Sequence, residues 1–276
     1  MSNYKLFFNV FSEFVEQYRS TVDIGKKLAA DSNVIITGLT RNNEEKLYNN
    51  IQLLSNLKTR NLQYFIYEND STDNTVNILN KLNQNIPNFK FQSEQLNLVQ
   101  YGQVKDSNRT IRLAQCRNIC LDYIKSNFNN IDYVIVIDLD FSMFSLEGLY
   151  HSLGLLYNNT NIHGVAGFSY EIKNNRILWN YDSWAFRWTW WEDLQKYHQV
   201  YNNVDPMGWF GLYYPPMGSD PILVNSAFGG CCVYRAPYYL QGYYSGEDCE
   251  HVTFHKSLCS KTDFQLVASP SQIMVF

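Results

Sequence analysis

A single α/β domain, with a mostly parallel sheet flanked by helices and a loop-rich second half, is the fold class this sequence predicts. Three observations carry it. Short apolar runs alternate with amphipathic stretches through the first half, the pattern of strands joined by crossover helices. The run Tyr133-Val134-Ile135-Val136-Ile137 reads as a fully buried strand. At 276 residues the chain can bury a sizeable core without disulfide or metal support.

The elements follow in order. Residues 1–30 read as an amphipathic helical lead-in. Residues 33–38 (Asn-Val-Ile-Ile-Thr-Gly) form a buried strand, and a helix over 44–57 puts Leu47, Ile51 and Leu54 on one stripe. Residues 64–67 make the next strand. A turn-rich patch, residues 68–74, leads into a helix carrying Val76, Leu79 and Leu82. A short strand at 89–91 and a helix over 109–126 precede the strand at 133–137. In such sheets ligands bind beyond the carboxyl ends of the strands. After Asp140 the character changes: residues 146–276 hold all six Trp and six of the seven Pro. Residues 179–221 have little periodicity and are expected to form a loop-rich lid. Order returns with a strand over 227–234, a helix after Ser245 and a last strand near 264–268. The chain divides into the lead-in 1–30 and two halves of one domain, 31–145 and 146–276.

Composition excludes several classes. With 22 basic and 26 acidic residues the net charge is −4 at pH 7, which offers no electrostatic basis for binding nucleic acid or a membrane surface. No apolar stretch reaches the length of a membrane span, and the start lacks the pattern of a secretory signal. Six cysteines with no C-x-x-C pair argue against a disulfide scaffold and a structural zinc site, so free thiols and a cytoplasmic location are expected. The phosphate loop G-x-x-x-x-G-K-[ST], the dinucleotide fingerprint and the G-x-S-x-G elbow are absent.

Four motifs can carry chemistry. Asp138 and Asp140 stand at i and i+2 where the buried strand ends, on one side of an extended chain. Two carboxylates that close repel unless a cation lies between them, and a hard divalent ion on a diphosphate meets that need. Asp residues also simply end strands. Glu68 and Asp70 begin a patch that suits a nucleoside's base and ribose, although Ser71, Thr72 or Asp73 can equally cap the following helix. Arg112 and Arg117 lie on the helix before Asp138, available to phosphate, while either one taken singly reads as a solvated side chain. Ser245 to His251 resembles a capping box, with Asp248, His251 and His255 on one helical face and Glu247 four residues before His251. An acid and an imidazole at a helix start can serve as general base and metal ligand.

These motifs occur in the order found in glycosyltransferases of the GT-A (Rossmann-like) fold. Asp138-Leu139-Asp140 looks like that fold's DxD metal motif, and the 68–74 patch resembles its nucleoside-binding segment. More narrowly, the chain resembles the fungal capsule-associated alpha-1,3-mannosyltransferase family through Tyr67 to Asp73, Arg112 to Asn118 with Leu121, Tyr181 to Trp184, Phe228 to Arg235, and Asp248-Cys249. The resemblance covers roughly residues 34 to 276. It implies metal-dependent transfer of a sugar from a nucleoside diphosphate sugar, with a UDP-sugar favoured over GDP-mannose, to a glycan, protein or other hydroxyl acceptor in glycan biosynthesis. Residues 31–145 would then bind the nucleotide sugar, and 146–276 the acceptor. The expected metal is Mn²⁺ or Mg²⁺, held by Asp138, Asp140 and His251. The nucleotide sugar falls to Thr40, Arg41, Glu68, Asp70, Arg117, Asp138, Gly229 and Gly230. Asp182 and Trp184 would bind the acceptor, and Asp248 with Glu247 would supply catalysis. A sugar nucleotidyltransferase is the enzyme-class alternative, with Thr37 to Arg41 too thin for its phosphate loop. An inactive carbohydrate-binding relative is the other, against which the intact Asp138, Asp140 and Asp248 speak.

Overall fold

Three apolar runs become the middle of one sheet. Strand β1 (Asn33–Thr40) pairs in parallel with β2 (Asn61–Asn69) on one side and with β4 (Tyr133–Ile137) on the other. Strand β3 (Phe89–Glu94) extends the parallel set from β2. Every residue of β4 is buried, as its unbroken apolar run requires when both faces are covered. The structure, a computed structural model, describes residues 9–99, 101, 106–173, 176–188 and 215–276.

Helices α2 (Leu47–Leu54) and α3 (Thr75–Asn85) fall within the expected stretches, and α4 (Ser107–Asn127) covers the expected 109–126 and runs slightly past it at both ends. Asp106 caps α4 by accepting from the Asn108 amide. Its buried stripe runs Thr110, Ala114, Arg117, Leu121, Ile124, so Arg117 occupies a core position rather than a solvated one. From Val15 the expected lead-in is the long helix α1 (Val15–Ala30), which packs on α5 (Leu146–Asn158). The two backbones cross closely: a Cβ at Gly25 would lie 1.7 Å from the Tyr150 carbonyl oxygen, and one at Gly154 would lie 2.1 Å from that of Thr21. The lead-in is thus bound into the body of the domain.

Beyond β4 the sheet becomes mixed. Strands β5 (Met143–Phe144), β6 (Gly164–Lys173), β7 (Arg176–Asn180), β8 (Ile222–Val224), β9 (Cys231–Arg235) and β10 (Leu266–Val275) complete the order β3-β2-β1-β4-β9-β6-β10-β5, with β7 beside β6 and β8 beside β10. Strand β9 runs antiparallel to both β4 and β6, whereas β6 and β10 are parallel. Parallel pairing therefore holds among the first four strands and between β6 and β10, and the other pairings make the sheet mixed. A strand's direction depends on the route by which the chain returns to the sheet, and local periodicity does not encode that route.

Other boundaries move as well. Helix α5 and strand β6 were not anticipated, and β10 continues seven residues past Ala268 to Val275, all ten of its residues buried. After the short helix α6 (Ala236–Tyr239), helix α7 (Glu250–Cys259) starts at Glu250. Ser245 is not its cap, because the Ser245 hydroxyl accepts from the Glu247 amide in the preceding loop. Asp248 therefore lies before the helix rather than in its first turn. Most of the expected lid, residues 189–214, lies outside the described residues. All six cysteines are free thiols. Among the described residues no helix is long and apolar enough to cross a membrane.

Candidate active site

A cavity of about 370 Å³ opens where β1, β2 and β4 end, walled by Thr40, Arg41, Asn69, Asp138 and Asp140 on that side. Tyr181, Asp182, Trp184, Phe228, Gly230, Glu250 and His251 close it from the second half of the chain. This is the crevice at the carboxyl ends of parallel strands that α/β sheets offer to ligands.

The segment after β4 is held by its backbone, leaving its carboxylates to the cavity. Asn43 and Asn50 Nδ2 each donate to the Leu139 carbonyl at 2.9 Å, and Asn50 also donates to that of Phe141. Lys46 Nζ donates to the Asp140 carbonyl at 2.6 Å. The Asp138 amide donates to the Gly230 carbonyl at 2.8 Å. These clamps, from Asn43, Lys46 and Asn50 around the start of α2, escaped the sequence reading. Their only signal was polar residues beside an apolar stripe.

On the cavity floor, buried Arg117 Nη2 lies 3.1 Å from Asp138 Oδ1, and its Nε lies 3.3 Å from Glu250 Oε1. The guanidinium also sits over the Phe228 ring at 5.0 Å. Burial alone would lower the Arg117 pKa, but Asp138 and Glu250 more than reverse it. The Asp138 carboxyl is pushed up to about 6 by burial and the nearby Asp140 charge, against the pull of Arg117. Glu250 was not among the anticipated site residues. It is buried in the fold, 4% exposed.

His251 stacks on Phe228 with ring centroids 3.6 Å apart. Neither of its buried ring nitrogens makes a hydrogen bond among the described residues, and Glu250 Oε1 lies 3.6 Å from Nε2. Burial and the Arg117 charge hold its pKa well below the ordinary value, so the ring is neutral. Asp182 accepts from the Gly229 amide at 2.9 Å. Burial, then Asp138 and Glu250, push its carboxyl up to about 7. Gly229 and Gly230 both adopt positive φ (+59° and +73°), the region where glycine alone is unstrained. Arg109 lies over the Trp184 ring at 5.9 Å, and Arg41 and Arg112 line the same cavity. These three guanidiniums have no carboxylate partner among the described residues.

Other candidate residues sit apart from the cavity lining. Glu68 accepts from the Ser71 amide at 2.7 Å and from the Ser93 hydroxyl. Asp70, at φ +57°, accepts from the amides of Leu96, Asn97 and Leu98 at 2.6, 2.7 and 3.0 Å. Glu68 thus ties the 71 turn to β3, while Asp70 is committed to holding the 95–98 loop, whose Leu98 and neighbouring Val99 reach the cavity. Asp248 Oδ1 and Oδ2 lie 3.0 and 2.9 Å from Nη2 of fully buried Arg187, and Glu247 is exposed.

The donor set fits a hard divalent cation. Asp138 and Asp140 could offer carboxylate oxygens, and His251 a neutral imidazole with no hydrogen bond among the described residues. The Asp138 pKa is raised first by burial and then by the Asp140 charge, and a cation between the two carboxylates would relieve the second of these. Among the described residues no three such donors already stand close enough to hold an ion by themselves.

A family model described as Cryptococcal mannosyltransferase 1 matches residues 33–273. The chain belongs to this family. No curated protein matches it by sequence. Among solved structures it is similar to the mannosyltransferase PcManGT from Pyrobaculum calidifontis, described in complex with GDP-Man and Mn2+, at 10% identity and a TM-score of 0.52, over 96% of this chain and 66% of that one. It is also similar to S. aureus TarS 1-349 in complex with UDP (10%, 0.50, 88% and 60%) and to mannosyl-3-phosphoglycerate synthase from Rubrobacter xylanophilus (12%, 0.50, 96% and 75%). The chain spans two thirds or less of the first two. At these identities the likeness establishes the fold, which is that of the GT-A glycosyltransferases. The mannosyltransferase family's matched span contains every candidate residue named above.

Proposed function

We propose that this member of the Cryptococcal mannosyltransferase 1 family transfers a hexose from a nucleoside diphosphate sugar to a hydroxyl acceptor, with a divalent cation. The observation that carries this reading is the cavity floor. Two carboxylates follow β4, an imidazole with no hydrogen bond among the described residues lines the same cavity, and three guanidiniums with no carboxylate partner among those residues surround it. That combination suits a ligand with two phosphates and a cation, and suits a neutral sugar alone poorly.

Asp138, Asp140 and His251 would hold Mn²⁺ or Mg²⁺, which supplies Lewis-acid stabilisation of the departing diphosphate. Arg117 keeps Asp138 and Glu250 in place beneath it. Arg41, Arg109 and Arg112 bind the phosphates and ribose side of the donor, while the 95–98 loop fixed by Asp70 presents Leu98 and Val99 to the base. Asp182 and Trp184 form the acceptor side, where an aromatic face covers a sugar ring and a carboxylate accepts the hydroxyl proton. The family's description favours mannose, and with it GDP-mannose, over the UDP-sugar that the sequence put first.

The test is thermal stabilisation by GDP and by UDP, each with and without Mn²⁺, followed by detection of transferred hexose. A melting temperature raised by GDP only with Mn²⁺ supports the reading. No stabilisation by either nucleotide would end it. Stabilisation with UDP alone would keep the reaction class and replace the donor.

A further inference from the structure

Arg187 is fully buried, and its contacts join three separate segments of the cavity wall. Its Nη1 donates to the carbonyls of Trp184 and Phe186 at 2.7 and 3.0 Å, closing the turn that carries Asp182 and Trp184. Its Nη2 donates to both oxygens of Asp248, 61 residues away, immediately before the start of α7. Its backbone pairs with Ser226: the Arg187 amide donates to the Ser226 carbonyl at 2.8 Å, and the Arg187 carbonyl accepts from Asn225 and Ser226. Ser226 Oγ in turn lies 2.9 Å from His255 Nδ1 on α7, and His255 Nε2 lies 2.8 Å from the Tyr234 hydroxyl on β9. Arg187 therefore fixes the Tyr181–Trp184 wall to the 248–251 segment bearing Glu250 and His251 through its guanidinium, and to Asn225 and Ser226 through its backbone. An arginine at such depth survives only with its charge and donors satisfied, and here the Asp248 carboxylate and two carbonyls do that.

Resting on the transferase reading above, we propose that Arg187 is a positioning residue for the transfer reaction and that Asp248 is its anchor, taking no proton in the reaction. With both Asp248 oxygens on Nη2 and Oδ1 also accepting from the Cys249 amide at 2.7 Å, the carboxylate is occupied by the wall it holds. The acceptor's proton is left to Asp182, which lines the cavity.

The test compares Arg187→Lys, Asp248→Asn and the double variant. Arg187→Lys keeps the charge but loses the fork that reaches two carbonyls and a carboxylate together. Hydrogen exchange over 181–188 and 248–251 reads the clamp without turnover. Both segments should exchange at least 10-fold faster in either single variant, with β1 and β4 unchanged, and the double variant should add little. Transfer from GDP-mannose to methyl α-mannoside reads its effect: each single variant should raise the acceptor KM more than it lowers kcat, with an unaltered pH profile. A loss of about 10²-fold or more in kcat confined to Asp248→Asn, with loss of one pH limb, would overturn the proposal in favour of a general base. So would exchange that changes only beside the substituted residue. Should Arg187→Lys fail to fold, Asp248→Asn alone decides by the same two readings. A chain that no nucleotide stabilises fails the transferase reading, while the exchange measurement still decides the clamp.

Discussion

Arg117 Nη2 lies 3.1 Å from Asp138 Oδ1, which links a helix facing the core to the first carboxylate of the candidate cation site. The same guanidinium binds Glu250, 133 residues further along, so one buried cation joins both halves of the domain at the cavity floor. Its removal strands two carboxylates, one of them almost without solvent.

Arg117→Met is therefore expected to cost about 3–5 kcal/mol of stability, the usual consequence of breaking a buried ion pair from one side. Urea unfolding at neutral pH measures it. A loss below about 1 kcal/mol would show that water or a rearranged side chain reaches Glu250 in the variant.

Asp140→Asn separates binding from folding. Asp140 is exposed and its backbone carbonyl, not its carboxylate, takes the Lys46 hydrogen bond. Stability should stay within about 0.5 kcal/mol, while the Mn²⁺-dependent rise in melting temperature with GDP disappears. Retention of that rise would remove Asp140 from the cation site.

His251→Phe should give a fold at least as stable as the original. The ring stacks on Phe228, and its two unbonded nitrogens are a desolvation cost that phenylalanine avoids. Mn²⁺-dependent nucleotide binding should weaken by about 10-fold or more, the order seen when a metal site loses support. Unchanged Mn²⁺ dependence would assign the third ligand elsewhere.

Asp70 contributes a pH-dependent term. Burial would raise its pKa, but the amides of Leu98, Asn97 and Leu96 and the Asn69 side chain bring it down to about 2. A depressed carboxyl stabilises the fold above its ordinary value near 3.8, and that contribution is lost as pH falls towards 2. Asp70→Asn, which tolerates the left-handed backbone, should cost about 2–4 kcal/mol at pH 7, since hydrogen bonds to charged groups are worth about 1.5–3 kcal/mol each. The gap between variant and original should narrow by pH 2.5. Denaturant unfolding at the two pH values checks this, and an equal gap at both would mean the charge is not what holds the 95–98 loop.

Local pattern along the chain was enough to place β1, β2 and β4, the helices between them, and Asp138 and Asp140 at a strand's carboxyl end. Period-2 and period-3.6 spacing are properties of neighbouring residues, and they survive folding unchanged. In the fold Arg117 shares the buried stripe of Ala114 and Leu121, although an arginine taken singly reads as solvated until its partners are known. Tertiary structure alone decided those partners. Glu250 meets Arg117 across 133 residues, and Arg187 meets Asp248 across 61. Asp70, which the sequence offered to a nucleoside, is committed to backbone amides 26 to 28 residues later. The antiparallel direction of β9, which carries Gly229 and Gly230 up to Asp138 and Asp182, likewise depends on how the chain returns to the sheet. A charge's role is set by what neutralises it, and in a folded chain the neutralising group is close in space while remaining arbitrary in sequence.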